Sequence, residues 1–219
     1  MAGAMPTTVR VPLQFAKLFE DAETYVREHF SAIKMLPERG TIHVGDQRYV
    51  LVRAESLTMG FLEVMRDLIG EEEALKFWYR MARVIGREDA QAFCAARKLV
   101  DGPARLSTGP VHFASTGWAR VEIDDRSRLA SDDSYYLEYT HPNTFESETW
   151  TKAGKEATRP VCVFSAGYSA GWCSESFHLE VHAREVTCVA AGGKECRFVM
   201  CPFERLDSHA RDVLARTNK

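Results

Sequence analysis

The chain has 219 residues, of which 45% are hydrophobic and 27% are charged, and its formal net charge is −3. This composition is ordinary for a globular protein with a substantial core. The slightly acidic balance argues against a general nucleic-acid-binding or membrane-surface protein, which is usually basic. No apolar run reaches the length of a membrane span, and no signal peptide opens the chain. We therefore expect a cytoplasmic protein without direct contacts to nucleic acid or membrane.

The first half of the chain is predicted to be mostly helical, with one hairpin. Residues 1–5 have the pattern of a tag remnant, and we expect 1–12 to be an N-terminal tail. After Pro12, apolar residues at helical spacing predict a helix that Pro37 and Gly40 end, with the face Phe15, Leu18, Phe19, Ala22, Val26 and Phe30. Such a face serves either the core or a dimer interface. Residues 42–52 predict a hairpin turning at 45–46 with a buried strand over 49–52. Residues 57–69 and 71–99 predict two helices separated by Gly70, and 101–103 break the second.

The second half mixes strands and helices. Alternation predicts strands over residues 118–123 and 135–141, with Pro142 ending the second. The small and aromatic residues of 161–177 predict a closely packed helix. Residues 184–189 and 196–200 predict a hairpin around Gly192 and Gly193, and the charged segment after Pro202 is predicted to be helical. The fold class is therefore α+β, with a helical N-terminal part containing a hairpin and a mixed C-terminal part.

The last third contains a candidate metal site. Cys162, Cys188 and Cys196 offer three thiolates and Glu185 offers a carboxylate, a set that suits a tetrahedral zinc ion. Glu185 and Cys188 are three residues apart, which a regular strand places on opposite faces, so a shared site requires an irregular strand. No CxxC pair is present, and spacing alone equally fits buried reduced cysteines beside a surface glutamate. Cys94, Cys173 and Cys201 are interpreted as core residues, with Cys201 an alternative ligand.

Several separated blocks of the sequence resemble one family. These blocks lie at 40–48, 68–74, 86–90, 160–162, 167–171, 184–188 and 192–197. Together they resemble the 4-vinyl-reductase domain family, and more closely the sensor domains of phenol- and xylene-responsive bacterial transcription activators. The resemblance extends over about residues 15 to 205.

The resemblance implies a structural zinc held by Cys162, Glu185, Cys188 and Cys196. All four ligand positions are present without a gap. A zinc ion with four protein ligands has no open coordination position, so its role is structural and not catalytic.

The resemblance also implies an aromatic-ligand pocket, with departures from the family pattern. Phenol-sensing members hold the hydroxyl with a histidine and a tryptophan. Here the tryptophan position is His141 and the histidine position is Phe113, although a one-residue shift would substitute His112. The remaining pocket-lining positions are Tyr139, Tyr168 and Trp172. From the pattern alone, these aromatic residues equally fit an ordinary core.

These features together predict a non-enzymatic sensor domain. We expect it to bind a small aromatic or similarly sized apolar molecule, to form a homodimer, and to regulate an attached or partner transcription-activation module. No GxxxxGK[ST] or GxSxG motif is present. The sensor is expected over 13–203, with an N-terminal helical and dimerisation part at 13–105 and a ligand- and zinc-binding part at 106–203. Residues 204–219 are expected to begin a linker to an output domain. The alternative is a stand-alone binding protein or enzyme of the same fold.

Overall fold

A computed structural model describes residues 8–217; the expected tag remnant, 1–5, lies outside this range. The first half is mainly helical. Its strands and helices are β1 (Val9–Arg10), α1 (Ala16–Ser31), β2 (Ile33–Leu36), β3 (Thr41–Val44), β4 (Gln47–Tyr49), a π-helix (Ser56–Phe61), α2 (Leu62–Ile69), α3 (Glu71–Arg97) and α4 (Gly102–Ser115). Short 3₁₀ turns at Leu13–Phe15 and Pro37–Arg39 connect them.

The second half contains the strands of the main sheet. Its elements are β5 (Val121–Ile123), β6 (Leu137–His141), α5 (Phe145–Lys152), α6 (Val163–Phe177), β7 (His182–Thr187), a 3₁₀ turn (Val189–Ala191), β8 (Cys196–Cys201) and α7 (Phe203–Thr217). The predicted α+β fold is therefore confirmed, with a helical N-terminal region and small hairpin sheet followed by a mixed sheet.

The strands of residues 8–217 form two sheets. The main sheet has the order β1-β5-β6-β8-β7, in which β1 is parallel to β5 and the other pairs are antiparallel. The small sheet has the order β2-β3-β4 and is antiparallel throughout. Val9–Arg10 lies within the segment that we expected to be a tail, and its pairing with Val121 and Glu122 makes it the edge of the main sheet.

The apolar face of α1 lies in the core and not on the surface. Phe19 and Val26 are fully buried, and Phe15, Leu18 and Phe30 pack against the same cluster. Of the two uses that the sequence left open for this face, the structure places it in the intramolecular core. This core contains residues from both predicted parts of the domain, from Val9 to Met200.

Helices α3 and α6 pack with their backbones in close approach. A Cβ atom added to Gly86, Gly167 or Gly171 would lie 2.2, 2.3 or 2.1 Å from a carbonyl oxygen of the facing helix. Real Cβ atoms do not approach backbone oxygens so closely, so only glycine permits this helix separation. The small residues that predicted a closely packed helix over 161–177 are explained by this contact.

The two faces of β6 have different chemistry. Leu137 and Tyr139 face the helices α4 and α6, whereas Glu138 faces α7. The buried carboxylate of Glu138 accepts hydrogen bonds from Arg197 of β8 at 2.7 Å and from Arg216 of α7 at 2.6 Å. A second apolar cluster, formed by Val199, Cys201, Leu206, Ala210 and Val213, joins α7 to this face of the sheet.

Two sequence predictions of secondary structure are wrong. The apolar run 50–52 is not a buried strand: β4 ends at Tyr49, and Val50 is 75% exposed. Tyr49 pairs with Ile42 near the start of β3, so the small sheet offers almost no partner backbone further on. The first helix ends at Ser31 and not at Pro37, because β2 intervenes.

Candidate functional site

Four elements bring the predicted metal ligands together. Cys162 precedes α6, Glu185 lies on β7, Cys188 follows β7, and Cys196 begins β8. The pairing of β7 with β8 shifts register between Glu185 and Thr187, which is a bulge. A bulge re-aims the side chains beyond it, and this satisfies the irregularity that the three-residue spacing required.

The four side chains form one compact cluster. Their ligand atoms all lie within 4.8 Å of one another, and all four residues are buried. The Cys196 Sγ atom is 3.8 Å from that of Cys162 and 3.9 Å from that of Cys188. One Glu185 oxygen accepts the backbone N–H of Cys162 at 2.7 Å, while Oε1 is buried without a hydrogen-bond partner in residues 8–217. This cluster can hold a metal ion.

Burial changes the proton affinities of the cluster. Burial raises the pKa of Glu185 to about 9, and it also raises the pKa of Cys162. Hydrogen bonds from the thiols of Cys162 and Cys196 lower the pKa of Cys188. A buried group that holds charge needs a compensating partner, and a cation between these ligands would be such a partner.

Glu146 is a residue of this region that the sequence reading missed. It is buried on α5, and its two carboxylate oxygens accept the backbone N–H groups of Phe164 at 2.8 Å and Ser165 at 2.9 Å. These N–H groups belong to the first turn of α6 and have no acceptor within the helix. Glu146 therefore fixes the helix end that follows Cys162. Burial raises its pKa to about 7.

The other three cysteines lie outside the metal cluster. Cys94 and Cys173 are buried thiols on α3 and α6, and Cys201 packs in the second apolar cluster beneath α7. Cys201 is therefore not placed as an alternative metal ligand.

An apolar cavity lies between α4, α6 and the main sheet, and we call it the inner cavity. The volume open to the centre of a water-sized sphere is about 30 Å³. It is lined by Gly109, Pro110, Phe113, Val121, Leu137, Tyr139, Tyr168, Ser169, Trp172 and Cys173. Since a water molecule needs about 10–15 Å³ of such volume, the cavity has room for little more than water.

Four of the six predicted ligand-binding residues line the inner cavity: Phe113, Tyr139, Tyr168 and Trp172. His112 points from a different face of α4, where its ring lies against Phe30 and Trp172 at centroid distances of 5.3 and 5.1 Å. A one-residue shift rotates a helical side chain by about 100°. The geometry therefore assigns the cavity position to Phe113.

His141 is fully buried directly behind the cavity wall. Its ring packs against Phe113, Tyr139 and Phe198, with the shortest centroid distance, 4.4 Å, to Phe198. Neither ring nitrogen has a hydrogen-bond partner in the part of the chain that the structure describes. Burial lowers the pKa of His141 to about 3, so the ring is neutral at physiological pH.

Most polar groups around the inner cavity are already paired with protein atoms. The Tyr168 hydroxyl lies 2.8 Å from Asp89 Oδ2, and the indole N–H of Trp172 donates to the Arg105 carbonyl at 3.0 Å. The buried Tyr139 hydroxyl faces Ser169 but makes no hydrogen bond of normal geometry among the described residues. Ser169 and Cys173 were missed, although their positions next to Tyr168 and Trp172 on one helix face signalled them.

Comparisons with known proteins agree with this architecture. Residues 142–202, which contain all four cluster residues, match the 4-vinyl-reductase domain, and residues 30–127 match the family described as activator of aromatic catabolism. The fold and site thus define a sensory domain and not an enzyme. The chain belongs to the sensory domains of aromatic-responsive transcription activators that contain a 4-vinyl-reductase domain.

Two relatives illustrate the family. The phenol regulator MopR of Acinetobacter guillouiae is 23% identical over 172 residues, which are 78% of this chain; the chain spans 30% of that regulator's length. The crystal structure of the phenol-responsive sensory domain of the transcription activator PoxR with phenol superimposes with a TM-score of 0.71 at 25% identity. That match covers 87% of this chain and 95% of the other.

Proposed function

We propose that this chain is a ligand-binding sensor domain that recognises a small aromatic or similarly sized apolar molecule and regulates an attached or partner transcription-activation module in the cytoplasm. The observation that carries this proposal is the apolar inner cavity, located between the sheet, α4 and α6 in a fold shared with a phenol-responsive domain. Residues 204–219 are proposed to lead toward the output module.

The ligand must enlarge the inner cavity. A cavity of about 150 Å³ holds benzene, whereas the volume here is about 30 Å³. The lining side chains, Phe113 above all, therefore have to move when a ligand binds. Phe113 separates the cavity from His141, so its displacement would bring a ligand close to the histidine.

His141 is the proposed polar partner of the ligand, and Tyr139 is a second polar group within reach. Both nitrogens of His141 lack partners among residues 8–217, so a ligand with one hydrogen-bonding group would satisfy a buried polar group. Phenol is expected to bind weakly, because the family's histidine and tryptophan positions are Phe113 and His141 here. Phe113, Tyr139, Tyr168 and Trp172 supply shape.

Calorimetry with benzyl alcohol and toluene tests this assignment. A buried polar group left unpaired costs about 1–3 kcal/mol, so toluene should bind roughly 5–150-fold more weakly than benzyl alcohol. His141→Phe should abolish this difference, whereas Tyr168→Phe should retain it. Binding of neither compound, nor of phenol, would contradict the proposed function. Tight phenol binding that His141→Phe leaves unchanged would contradict only the assignment of His141.

We further propose that the metal is zinc and that it is structural. Ligand sulfurs around a tetrahedral zinc ion, at Zn–S distances of about 2.3 Å, lie about 3.8 Å apart. The measured Sγ–Sγ distances of 3.8 and 3.9 Å fit this value. Three thiolates and one carboxylate complete the coordination without water, which supports folding and leaves no position for catalysis.

A homodimer is the proposed assembly, although not through the face of α1. Exposed apolar side chains instead form a stripe on the π-helix and α2: Phe61, Val64 and Leu68 are spaced at i, i+3 and i+7. Contiguous exposed apolar surface of this kind is a common mark of a protein interface.

A further inference from the structure

A second concavity, which we call the outer cleft, lies on the far side of Tyr168 from the inner cavity. It is bounded by the small sheet, the middle of α3, the end of α4 and Trp118, and its volume is about 480 Å³. Small-molecule sites generally measure about 300–1,000 Å³. Unlike the inner cavity, the outer cleft therefore accommodates an aromatic molecule without rearrangement.

One side chain separates the two spaces. The ring of Tyr168 lines the inner cavity, while its hydroxyl lies 2.8 Å from Oδ2 of Asp89, a residue that lines the outer cleft. His112 Nδ1 lies 3.2 Å from the same hydroxyl, and the Trp118 ring, which lines the cleft, is 6.4 Å from the Tyr168 ring. Asp89 therefore holds the wall between the spaces in its closed position.

The other walls of the inner cavity resist opening. The backbones of α3 and α6 touch at Gly86, Gly167 and Gly171. Strands β5 and β6 each have hydrogen-bonded neighbours on both sides. Rotation of the Tyr168 side chain needs no movement of these elements, but it does require the hydrogen bond to Asp89 to break.

The group that Asp89 holds is itself a phenol. The head of a tyrosine side chain and a hydroxylated aromatic ring present the same hydroxyl on the same ring, so a ligand in the outer cleft can offer Asp89 an equivalent hydrogen bond. An aromatic carboxylate cannot make this exchange, because its charge would face that of Asp89.

We propose that the outer cleft is an entry site for neutral hydroxylated aromatic molecules, in which the ligand hydroxyl replaces that of Tyr168 on Asp89 and releases Tyr168 to open the inner cavity. This inference rests on the proposed function, since it supplies the route to the sensing cavity. Asp89 would thereby select the ligand before the inner cavity does.

Cys173 provides a ligand-free test, because its thiol lines the inner cavity. Methyl methanethiosulfonate is small and neutral, and mass spectrometry of peptides gives its rate of reaction at each cysteine. Losing one hydrogen bond shifts an equilibrium about ten-fold. Asp89→Ala and Tyr168→Phe should therefore each label Cys173 about ten-fold faster than the wild type.

Glu88→Ala is the matched control, since Glu88 precedes Asp89 on α3 and also lines the cleft. It should label Cys173 at the wild-type rate. Cys201, buried under α7, reports global unfolding. Unchanged labelling of Cys173 in both test variants, or equal acceleration at Cys201, would overturn the proposal. Because no ligand is used, this outcome is distinct from a failure of the proposed function, which would appear as no binding of aromatic compounds.

Discussion

At the scale of single residues, two buried histidines differ in how their rings are satisfied. His112 lies 3.2 Å from the Tyr168 hydroxyl through Nδ1, whereas His141 has no such contact within the described chain. Burial lowers the pKa of each to about 3, with the charge of His29 contributing at His112. Each ring is therefore neutral in the folded protein and gains a proton on unfolding below its ordinary pKa.

This difference in proton affinity predicts acid sensitivity of the fold. The folded pKa is lower than the unfolded one, so the stability from a neutral buried histidine is present above about pH 6.5 and is lost as the pH falls toward 3. Between pH 7 and pH 5.5, His141 should cost the fold about 1 kcal/mol. Denaturant unfolding should show that His141→Phe loses about 1 kcal/mol less than the wild type over this interval. Equal losses would contradict a neutral, buried His141.

The cysteine cluster predicts a metal-dependent fold. Cys196→Ala should lose the ion and most of the native structure, because the binding free energy of a structural zinc, about 10 kcal/mol or more, is folding free energy. Elemental analysis and circular dichroism measure both effects, with one zinc per chain expected in the wild type. Cys201→Ala is the control: it removes a buried thiol outside the cluster and should retain the metal. Well-folded wild-type protein without metal would refute the zinc assignment.

At the scale of elements, helices with a clear period were predictable and those interrupted by proline were not. The pattern of 71–99 predicted α3 to within two residues of its end at Arg97. Helix α4 was missed, because Gly102, Pro103 and Pro110 all indicate breaks. In the structure the Asp101 side chain accepts the N–H of Ala104 and Pro103 lies in the first turn. Both positions are favourable at a helix start.

The contact between α3 and α6 predicts strong sensitivity to a single methyl group. Gly171→Ala would place Cβ 2.1 Å from the Arg83 carbonyl oxygen, so the helices must separate, at a cost of about 1–3 kcal/mol or more. Gly60→Ala, with nothing within 4 Å of the added Cβ, should be neutral or stabilising, since alanine has the higher helix propensity. Denaturant unfolding compares the two. Equal stability of both variants would show that the close approach is not required.

At the scale of the whole molecule, the metal cluster was predictable from the sequence and the inner cavity only in part. All four cluster residues could be named from the family resemblance, and the bulge on β7 then removed the objection from their spacing. The cavity is bounded by residues from Gly109 to Cys173 that meet only in the tertiary fold. Sequence spacing does not reveal which side of α4 faces the sheet, and so it left His112 and Phe113 as alternatives.

The exposed stripe on α2 predicts a dimer that a single charge disrupts. Leu68 is 76% exposed, and Leu68→Glu would place a charge in the proposed interface, where it would be desolvated without a partner. Light scattering at micromolar concentration should give a dimer mass for the wild type and a monomer mass for this variant. Glu63→Lys, on a different face of α2, should remain dimeric. A monomeric wild type, with and without ligand, would exclude the dimer.

The opposite orientations of adjacent residues on β6 tie the C-terminal helix to the cavity wall. Tyr139 borders the cavity, and the next residue toward the N-terminus, Glu138, is bonded to Arg216 of α7. Breaking a buried ion pair costs about 3–5 kcal/mol, so α7 should follow the strand and not detach from it. When an arriving ligand displaces the strand, the displacement is conveyed across the thickness of the sheet, and the far end of α7 amplifies it as the long arm of a lever.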